Sequence, residues 1–299
     1  MNTGGTLLKG GDLAAAIKAR VAARVQDWTE RGLRPKLAVV AATDDPAALK
    51  YEETKRRNAE KLGIAYEVAA LDPSVESAEL HGRLDGFAAD PDVHGILLSL
   101  PLPRHLDTEA ALDRIPIVKD VDGITAANLG RLASGFEDHA MPAATPFACI
   151  RLIEAHLPLE GAKVTLVGRG RTIGRALAPM LINRNATVTV CHTRTRDLKA
   201  EVRAADIVIA AAGRAGLVTA DMVRPGQTII DAAMNVGEGG RMVGDAQTEE
   251  IAAKGVHISP VPGGVGPVTS AQIFDNLLRA VDFQHSREAG GPSAQEVTP

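Results

Sequence analysis

Aromatic residues are scarce in this sequence: only 3% of its 299 residues are Phe, Tyr or Trp, although 45% are hydrophobic. The core must therefore be built from Ala, Val, Ile and Leu, which is typical of parallel sheets covered by helices. Cysteine is scarcer still, since the sequence has only Cys149 and Cys191. Two cysteines cannot form a disulfide framework, and the pattern places them in a helix and a strand, so a reducing compartment fits best.

A basic excess is also absent. Lysine and arginine number 33 against 37 acidic residues, which gives a formal net charge of -4. This balance lacks the basic footprint of a nucleic-acid-binding protein, so we expect no nucleic-acid partner. No apolar run approaches the roughly 20 residues that cross a bilayer. The residues from Met1 to Lys9 lack the pattern of a signal peptide, so we expect no membrane partner and a cytoplasmic location.

What the sequence does contain is an alternation of helix and strand patterns. Apolar residues at spacings of three and four predict a first amphipathic helix, on Leu13, Ile17, Val21, Val25 and Trp28. Strands are predicted at 37–40, 65–70 and 93–98, and helices at 46–62 and 75–88. From residue 163 the alternation restarts, with strands predicted at 164–167, 187–191, 207–211, 228–231 and 256–258 and a final helix at 270–281. This order requires crossover connections and a mostly parallel sheet.

The length and this alternation together predict an α/β protein of two domains with a cleft between them. The first is an N-terminal α/β domain with a mostly parallel sheet, formed by residues 1–143 and 272–285, and the candidate residues described below make it the predicted catalytic domain. The second is a C-terminal Rossmann-type NAD(P)-binding domain, formed by residues 144–271. Residues 286–299 are rich in Gly, Pro, Ser, Glu and Gln, and we predict that they form a disordered tail.

A glycine-rich turn joins the strand at 164–167 to the next helix, through Gly168, Arg169, Gly170, Arg171, Thr172, Ile173 and Gly174. Glycines permit a tight turn there and let the backbone approach a pyrophosphate, which the N–H groups of a helix N-terminus can bind. The spacing G-x-G-x-x-x-G is one residue longer than the dinucleotide fingerprint, so alone it is a weak signal. The renewed α/β alternation strengthens the prediction of a dinucleotide site.

The end of the following strand distinguishes NADP from NAD. An acidic residue there would bind a ribose 2′-hydroxyl and repel a 2′-phosphate. This strand is instead followed by Thr193 and Arg194, while Arg169 and Arg171 lie in the glycine-rich turn. Arginine donates bidentate, charge-assisted hydrogen bonds to phosphate. We therefore predict NADP as the cofactor, with NAD less favoured, and no metal.

Tyr51 and Lys55 stand four residues apart on a predicted helix and so project from one face. An aromatic ring beside a lysine can stack on a flat heterocycle and offer it a proton donor or acceptor. The same spacing is common on ordinary helix surfaces, so it indicates a site only together with other segments.

Two further segments supply that context. Ser99, Leu100 and Pro101 follow a predicted parallel strand, and ligands of open α/β sheets bind at that end. Asp122 lies shortly after, in Lys-Asp-Val-Asp-Gly, where it can accept from several N–H donors. The run 260–267, Pro-Val-Pro-Gly-Gly-Val-Gly-Pro, predicts a rigid loop that a ligand can approach closely. Thr269 and Gln272 have the spacing of a capping box, which predicts that the final helix opens there.

In this order, from about residue 37 to 281, these segments resemble the bifunctional methylenetetrahydrofolate dehydrogenase/cyclohydrolase family. The 260–267 run and Lys-Asp-Val-Asp-Gly are its most specific motifs, and Asp231, Asn235 and Gly244-Asp245 also match. The resemblance implies a homodimer whose substrate is a folate. It implies oxidation of 5,10-methylenetetrahydrofolate to the methenyl form with NADP, followed by hydrolysis to 10-formyltetrahydrofolate.

By residue match, the resemblance also implies the roles of the candidate residues. Tyr51 would stack on the pterin and aminobenzoyl rings, Lys55 would be catalytic and Asp122 would anchor the pterin. Ser99 is the fourth catalytic candidate. The other substrate-binding candidates are Leu100, Pro101, Pro262, Gly263, Gly264 and Pro267. The cofactor-binding candidates are Gly168, Arg169, Gly170, Arg171, Thr172, Ile173, Thr193, Arg194, Ala212, Asp231, Asn235 and Thr269.

Several positions depart from the family pattern and indicate a diverged paralogue. Ser99 stands where the family usually has Gln, Ala48 where it has Ser, and Gly170 where it has the Ser of Gly-Arg-Ser. Residues 231–235 replace Asp-Val-Gly-x-Asn, and residues 143–146 replace Pro-Cys-Thr-Pro. Ser99 is shorter than glutamine and cannot make the same contacts with Lys55.

The chemistry suggests how the roles divide. Two nitrogens flank the carbon of the methylene bridge and stabilise the cation left by hydride departure, so that step needs positioning more than a base. Hydrolysis needs a proton acceptor for the attacking water, and Lys55 beside a cationic, desolvated ligand would give up its own proton more readily. Three alternatives stay open: a dehydrogenase without cyclohydrolase activity, an enzyme of a related reduced pterin, and a non-catalytic nucleotide-binding module. The presence of Tyr51, Lys55 and Asp122 argues against the last.

Overall fold

The computed structural model describes residues 5–285, apart from the side chains of Ala47 and Glu238. The predicted tail, 286–299, lies outside this range. In chain order the first elements are α1 Gly11–Glu30, β1 Lys36–Ala42, α2 Pro46–Lys61, β2 Ala65–Leu71, α3 Ser77–Ala89, β3 Gly95–Leu98, α4 Thr108–Leu112, α5 Ala126–Ala133 and α6 Ala144–Glu154. They are followed by β4 Lys163–Val167, α7 Gly174–Ile182, β5 Thr187–Cys191, α8 Leu198–Ala204, β6 Ile207–Ala210, β7 Thr228–Asp231, β8 Asn235–Val236, β9 Met242–Val243, α9 Thr248–Ala252, β10 His257–Ile258 and α10 Val265–His285.

The chain divides into two compact units, each with its own parallel sheet, and so belongs to the α/β class. The five-stranded unit contains the chain up to Ile17, Leu132–Phe136 and Ala143–Gln272. The three-stranded unit contains Lys18–Arg131, Glu137–Pro142 and the chain from Ile273. The division therefore falls within α1 and within α10.

In the three-stranded unit the strand order is β2-β1-β3, with both pairs parallel. Leu37 of the central strand lies opposite Tyr66 of β2 and Gly95 of β3. From Leu37 to Ala42 the central strand is buried throughout, as its apolar run predicts. Burial of each large apolar side chain contributes roughly 1.5–3 kcal/mol to stability.

In the five-stranded unit the strand order is β10-β7-β6-β4-β5, and every pair is parallel. The chain runs outward from β4 first to β5 and then, on the other side, to β6 and β7. The order therefore reverses between β4 and β6, and ligands of open α/β sheets bind outside the carboxyl ends of the strands at such a switch point. A short antiparallel hairpin, β8–β9, lies outside this sheet.

Every predicted strand is present, with its ends shifted by at most two residues. The predicted amphipathic face of α1 is confirmed because Ile17, Val21 and Val25 are buried. The predicted start of the last helix is wrong. α10 begins at Val265, so Thr269 and Gln272 lie inside it and do not form its capping box. The reason is that Pro267 lies in the first turn of α10, where a proline is tolerated. None of the helices between residues 5 and 285 is long and apolar enough to cross a bilayer.

The two cysteines lie where the sequence places them, Cys149 in α6 and Cys191 at the end of β5. Both are buried free thiols. Burial raises the pKa of the Cys149 thiol to about 12 and raises that of Cys191 as well. Both therefore keep their protons near neutral pH.

Candidate active site

The face of α2 that carries Tyr51 and Lys55 forms the first part of the candidate site. The helix begins at Pro46, whose fixed φ suits a first helical position, and ends before Gly63, which has a φ of 77°. Lys55 is buried with only 4% of its surface exposed, and its Nζ lies 4.8 Å from the centroid of the Tyr51 ring. Tyr51 itself is 43% exposed. The predicted pairing of these two side chains on one face is therefore confirmed.

Glu52, on the same helix, connects the Tyr51–Lys55 pair to the sheet through its side-chain contacts. Its side chain is buried, and its carboxylate forms an ion pair with Lys55 Nζ through Oε1. Ser99 Oγ donates to the same oxygen at 3.0 Å, and Tyr66 Oη donates to Oε2 at 3.0 Å. Burial and the Glu52 carboxylate raise the pKa of Tyr66, so its hydroxyl remains a donor.

Sequence reasoning missed Glu52, although the signal was present. An acid three residues before a lysine lies on the same helix face. The sequence does not show that the Glu52 side of the helix points inward, because the next residue, Glu53, is also an acid. In the structure Glu53 is paired with Arg56 and Arg57 on the exposed side of the helix.

Ser99 lies directly after β3, and its N–H donates to Val40 O at 2.8 Å, which continues the parallel ladder by one residue. Its hydroxyl is therefore fixed at the carboxyl end of the sheet. Ser99 is joined to Lys55 through a single carboxylate oxygen of Glu52. The following peptide bond, Leu100–Pro101, is cis, and Pro101 is exposed.

In the segment Lys119-Asp120-Val121-Asp122-Gly123, the charged residues have different positions. Lys119 is buried, and its Nζ donates to the carbonyl oxygens of Phe87, Ala88 and Asp90 at the end of α3. The buried Asp120 carboxylate accepts from the backbone N–H groups of Gly123, Ile124 and Thr125 and from the Asn128 side chain. Asp122 is only half-buried. The first two residues therefore hold the loop in shape, and Asp122 lies on the loop that they fix.

The proline- and glycine-rich run lies in the five-stranded unit, between β10 and α10. Its Val261–Pro262 bond is cis, and Gly263 has a φ of 106°, a conformation that favours glycine. Gly10 N–H donates to Gly263 O at 2.9 Å, and a Cβ at Gly264 would lie 2.7 Å from Pro260 O. Pro262 is exposed, and Pro267 is half-buried in the first turn of α10. Backbone packing within the unit therefore accounts for part of the glycine requirement of this run.

The turn after β4 has the geometry of a dinucleotide-binding turn. Gly168 has a φ of 122°, and a Cβ there would lie 2.1 Å from Ala211 O, at the end of β6. A Cβ at Gly174, the first residue of α7, would lie 2.4 Å from Gly168 O. At Gly170, by contrast, a Cβ would meet no other described atom within 4 Å. The turn thus lies at the switch point, where the N-terminus of α7 can bind an anion.

Two buried acids shape the loops at the same edge of the sheet. Asp231 accepts from the backbone N–H groups of Ala233, Asp245 and Ala246 at 2.8–3.1 Å. Asp245 accepts from those of Ala212, Gly213 and Arg214 at 2.6–2.9 Å, and from Asn235 Nδ2 at 2.9 Å. Burial raises the pKa of Asp231 to about 6, although its backbone hydrogen bonds favour the charged form. The structure therefore brings Ala212, Asp231 and Asn235 together through Asp245.

The end of β5 carries no acid, and the Thr193 and Arg194 side chains that follow it are exposed. Arg194 N–H donates to His192 Nδ1 at 3.1 Å, which fixes the turn. In the glycine-rich turn, Arg169 and Thr172 are exposed, and Arg171 and Ile173 are half-buried. In α10, Thr269 Oγ1 is a buried hydroxyl oxygen without a hydrogen-bond partner among the described residues. These features fit a phosphate-bearing dinucleotide. They are a glycine that lets the backbone approach the ligand closely, exposed arginine side chains, and a buried hydroxyl that can still form a hydrogen bond.

The candidate residues thus form two groups. Tyr51, Lys55, Ser99 and Asp122 belong to the three-stranded unit, and the nucleotide turn and the 260–267 run belong to the five-stranded unit. Among residues 5–285, no group of three or more His, Cys, Asp or Glu side chains has an arrangement that could hold a metal ion.

Comparison with known proteins gives consistent matches along the chain. Residues 8–122 match the model of the tetrahydrofolate dehydrogenase/cyclohydrolase catalytic domain, and residues 143–285 match the model of its NAD(P)-binding domain. The bifunctional protein FolD of Heliobacterium modesticaldum is 45% identical over 278 residues, which cover 93% of this chain and 96% of that protein.

Solved structures agree with these matches. The bifunctional FolD methylenetetrahydrofolate dehydrogenase/cyclohydrolase of Campylobacter jejuni is 38% identical, with a TM-score of 0.89, and the match covers 93% of this chain and 99% of that one. The Trypanosoma brucei enzyme, solved with NADP cofactor and inhibitor, is 30% identical, with a TM-score of 0.88, over 96% of this chain and 99% of that one.

Proposed function

Because the chain belongs to the tetrahydrofolate dehydrogenase/cyclohydrolase family, we propose that it oxidises 5,10-methylenetetrahydrofolate to the methenyl form with NADP and hydrolyses this product to 10-formyltetrahydrofolate. The observation that carries the proposal is the buried Lys55 ammonium held beside the exposed ring of Tyr51. The Tyr51 ring offers a face on which a flat ring system can stack, and the Lys55 amine can transfer a proton at the edge of that ring system.

Binding of the folate in this proposal falls to the residues around that pair. The Tyr51 ring stacks on the substrate, and Asp122 accepts hydrogen bonds from the N–H groups of the pterin. Leu100 and Pro101, at the end of β3, are further proposed substrate contacts. By residue match to the family, Pro262, Gly263, Gly264 and Pro267 are proposed as substrate-binding residues too. Support for Asp122 comes from its loop, which Lys119 and Asp120 fix at both ends.

Hydrolysis is the step in which a side chain must handle a proton. Water adds to the methenyl carbon, and Lys55 Nζ in its neutral form takes the proton that the water loses. The bond from that carbon to N5 then breaks as N5 receives the proton from Lys55. The hydroxyl group of the adduct loses its own proton to solvent as it becomes the carbonyl, and the formyl group remains on N10. Oxidation needs no such base, because the nitrogens beside the methylene carbon stabilise the developing cation. Its rate depends on how well Tyr51 and Asp122 position the folate.

The five-stranded unit supplies the proposed cofactor site. NADP, when bound, accepts the hydride of the oxidation. The turn of Gly168, Gly170, Thr172 and Ile173 lets the backbone approach the pyrophosphate, and the N-terminus of α7 stabilises its charge. Arg169, Arg171, Thr193 and Arg194 would bind the 2′-phosphate, and Ala212, Asp231, Asn235 and Thr269 would contact the rest of the cofactor.

Replacing Arg169 or Arg194 by alanine should weaken the use of NADP far more than the use of NAD. A hydrogen bond to a charged group contributes about 1.5–3 kcal/mol, so kcat/KM with NADP should fall roughly 10- to 100-fold. With NAD, which lacks the 2′-phosphate, we expect a change of less than about threefold. Steady-state kinetics with both coenzymes measure this, with Arg203→Ala, an exposed arginine of α8, as the matched control. An equal loss with both coenzymes would contradict a phosphate contact.

The function as a whole is tested with the purified protein, methylenetetrahydrofolate and either NADP or NAD. We expect reduced coenzyme to appear with NADP, followed by decay of the methenyl absorbance faster than in buffer alone. Coenzyme reduction without accelerated decay would indicate a dehydrogenase without cyclohydrolase activity. The absence of both signals would refute the proposal.

Three further expectations from the sequence also belong to the proposal. They are a homodimeric assembly, a cytoplasmic location, and domain limits at 1–143 with 272–285 and at 144–271. Sedimentation of the purified protein tests the first directly.

A further inference from the structure

A buried carboxylate, that of Glu52, lies beside Lys55, and the proposed chemistry does not yet use it. Only 6% of the Glu52 surface is exposed, and Lys55 is similarly buried at 4%. Three groups from three segments converge on this carboxylate: Lys55 from α2, Tyr66 from β2 and Ser99 from the residue after β3. The arrangement is therefore built by the tertiary fold.

Helix stability does not explain this arrangement. On the exposed side of the same helix, Arg56 pairs with Glu53 and Glu60, and Arg57 pairs with Glu53. Such exposed pairs already supply the modest stabilisation that helical ion pairs give. Burying an ion pair is different, because desolvation of both charges offsets their attraction, so apolar residues of similar volume serve stability as well or better.

The charges suggest a role in hydrolysis instead. With Lys55 protonated, the Glu52–Lys55 pair is neutral. The methenyl substrate is a cation, so its arrival beside the pair adds a positive charge, and loss of the proton from Lys55 restores neutrality with the substrate as the counter-ion of Glu52. Two neutral donors, the hydroxyls of Tyr66 and Ser99, hold the carboxylate in place.

We propose that Glu52 is a positioning residue for hydrolysis: it orients Lys55 Nζ, and its negative charge compensates the cationic substrate when Lys55 passes on its proton. This inference rests on the proposed function, since it concerns the same reaction. A carboxylate next to a lysine favours the charged amine. Removing the negative charge should therefore let Lys55 act as a base at lower pH while weakening the binding of the methenyl cation.

The kinetic test compares Glu52→Gln with Glu53→Gln, its exposed neighbour. For Glu52→Gln we expect the rise of the hydrolysis rate with pH to move down by about one unit or more. We also expect KM for the methenyl substrate to increase about tenfold, because an attraction between opposite charges is lost. The Glu53→Gln variant should keep the parent profile. A uniform fall in kcat for Glu52→Gln with an unmoved pH profile and KM would overturn the inference, because a merely structural role predicts that result.

The Glu52→Asp variant guards against a folding defect. Aspartate keeps the negative charge on a side chain that is one methylene shorter. The pH profile of its hydrolysis rate should therefore lie between those of the parent and Glu52→Gln. Thermal unfolding of each variant shows whether the chain is intact. If Glu52→Asp behaves like Glu52→Gln, the charge is not the operative feature and the inference fails.

A second readout does not depend on turnover. Brief acetylation of the folate-free protein, followed by peptide mass spectrometry, gives the reactivity of Lys55 as a function of pH. In Glu52→Gln this reactivity should rise at lower pH than in the parent, and in Glu53→Gln it should not move. Identical curves for Glu52→Gln and the parent would overturn the inference. Loss of both reactions in the parent protein would instead refute the proposed function, so the two failures can be told apart.

Discussion

Replacing Lys55 by alanine should abolish hydrolysis of methenyltetrahydrofolate while dehydrogenase activity falls much less. Proton transfer by a positioned side chain contributes about 10²- to 10⁴-fold to a rate, and the hydrolysis rate should fall by that factor. The oxidation needs no proton acceptor, so loss of a contact that contributes about 1 kcal/mol should cost it less than about tenfold. Single-turnover assays of the two reactions, each started with its own substrate, give the ratio directly.

Two comparisons separate this chemical effect from a structural one. Lys55→Ala leaves Glu52 buried without its counter-ion, and breaking a buried pair destabilises a protein by about 3–5 kcal/mol. Lys55→Arg keeps a positive charge beside Glu52 but cannot act as a base, so it should show the same loss of hydrolysis. Lys61→Ala, at an exposed lysine in the last turn of α2, should show none. Hydrolysis by either Lys55 variant at the parent rate would refute the catalytic role.

Replacing Gly168 by alanine should eliminate binding of NADP. A Cβ at this position would lie 2.1 Å from Ala211 O and 2.9 Å from Ala212 N, which are backbone atoms at the end of β6 and cannot move aside like a flexible side chain. The φ of 122° adds strain for any residue other than glycine. Moving the turn to relieve the clash also moves the N-terminus of α7, so we expect NADP affinity to fall by at least about 100-fold, or roughly 3 kcal/mol.

Calorimetric titration with NADP and thermal unfolding together measure this effect. Gly170→Ala is the informative partner variant, since its Cβ meets no other described atom within 4 Å. Its stability should match that of the parent, and any loss of NADP affinity then reports the room that the dinucleotide needs. Gly130→Ala in α5, where a Cβ also meets nothing, controls for the substitution itself. NADP bound by Gly168→Ala as tightly as by the parent would show that the turn is not the site.

The inner strands of the sheets could be predicted from the sequence because they are buried on both faces. Runs such as Leu37 to Ala42 and Ile207 to Ala210 contain little but apolar residues, and parallel pairing follows from the helices between them. The last helix was harder. A run of prolines and glycines predicts a loop, and nothing in that run marks the point at which Val265 and Pro267 join a first helical turn. The β8–β9 hairpin, with two residues in each strand, is too short to give a periodic pattern.

Residues of the candidate site could be predicted where spacing alone decides, as it does for Tyr51 and Lys55. Residues that act through tertiary contacts could not. Glu52 and Glu53 look equivalent in the sequence, and only the fold buries one and exposes the other. Ser99 is too short to take the place of a glutamine, but Glu52 links it to Lys55, because the Glu52 carboxylate accepts a hydrogen bond from Ser99 and pairs with Lys55.

The same limit applies to the acidic residues of the motifs. Asp120 and Asp122 are two residues apart, yet the Asp120 carboxylate accepts hydrogen bonds from backbone N–H groups, whereas Asp122 lies half-buried on the loop. Asp245 organises the nucleotide loops through four hydrogen bonds, whereas the sequence offered only a motif match. An acidic residue stabilises a loop only where backbone N–H groups point at its carboxylate. The fold determines where these groups point.

The two buried thiols have a practical consequence. Since the sequence contains no other cysteine, and both keep their protons behind the protein surface, the unmodified chain should react slowly with maleimides and similar labelling reagents. A single cysteine introduced at an exposed position of either sheet unit would then be the preferred attachment point for a fluorophore or spin label. A pair of such labels, one per unit, would make distance changes during turnover observable without first deleting native residues.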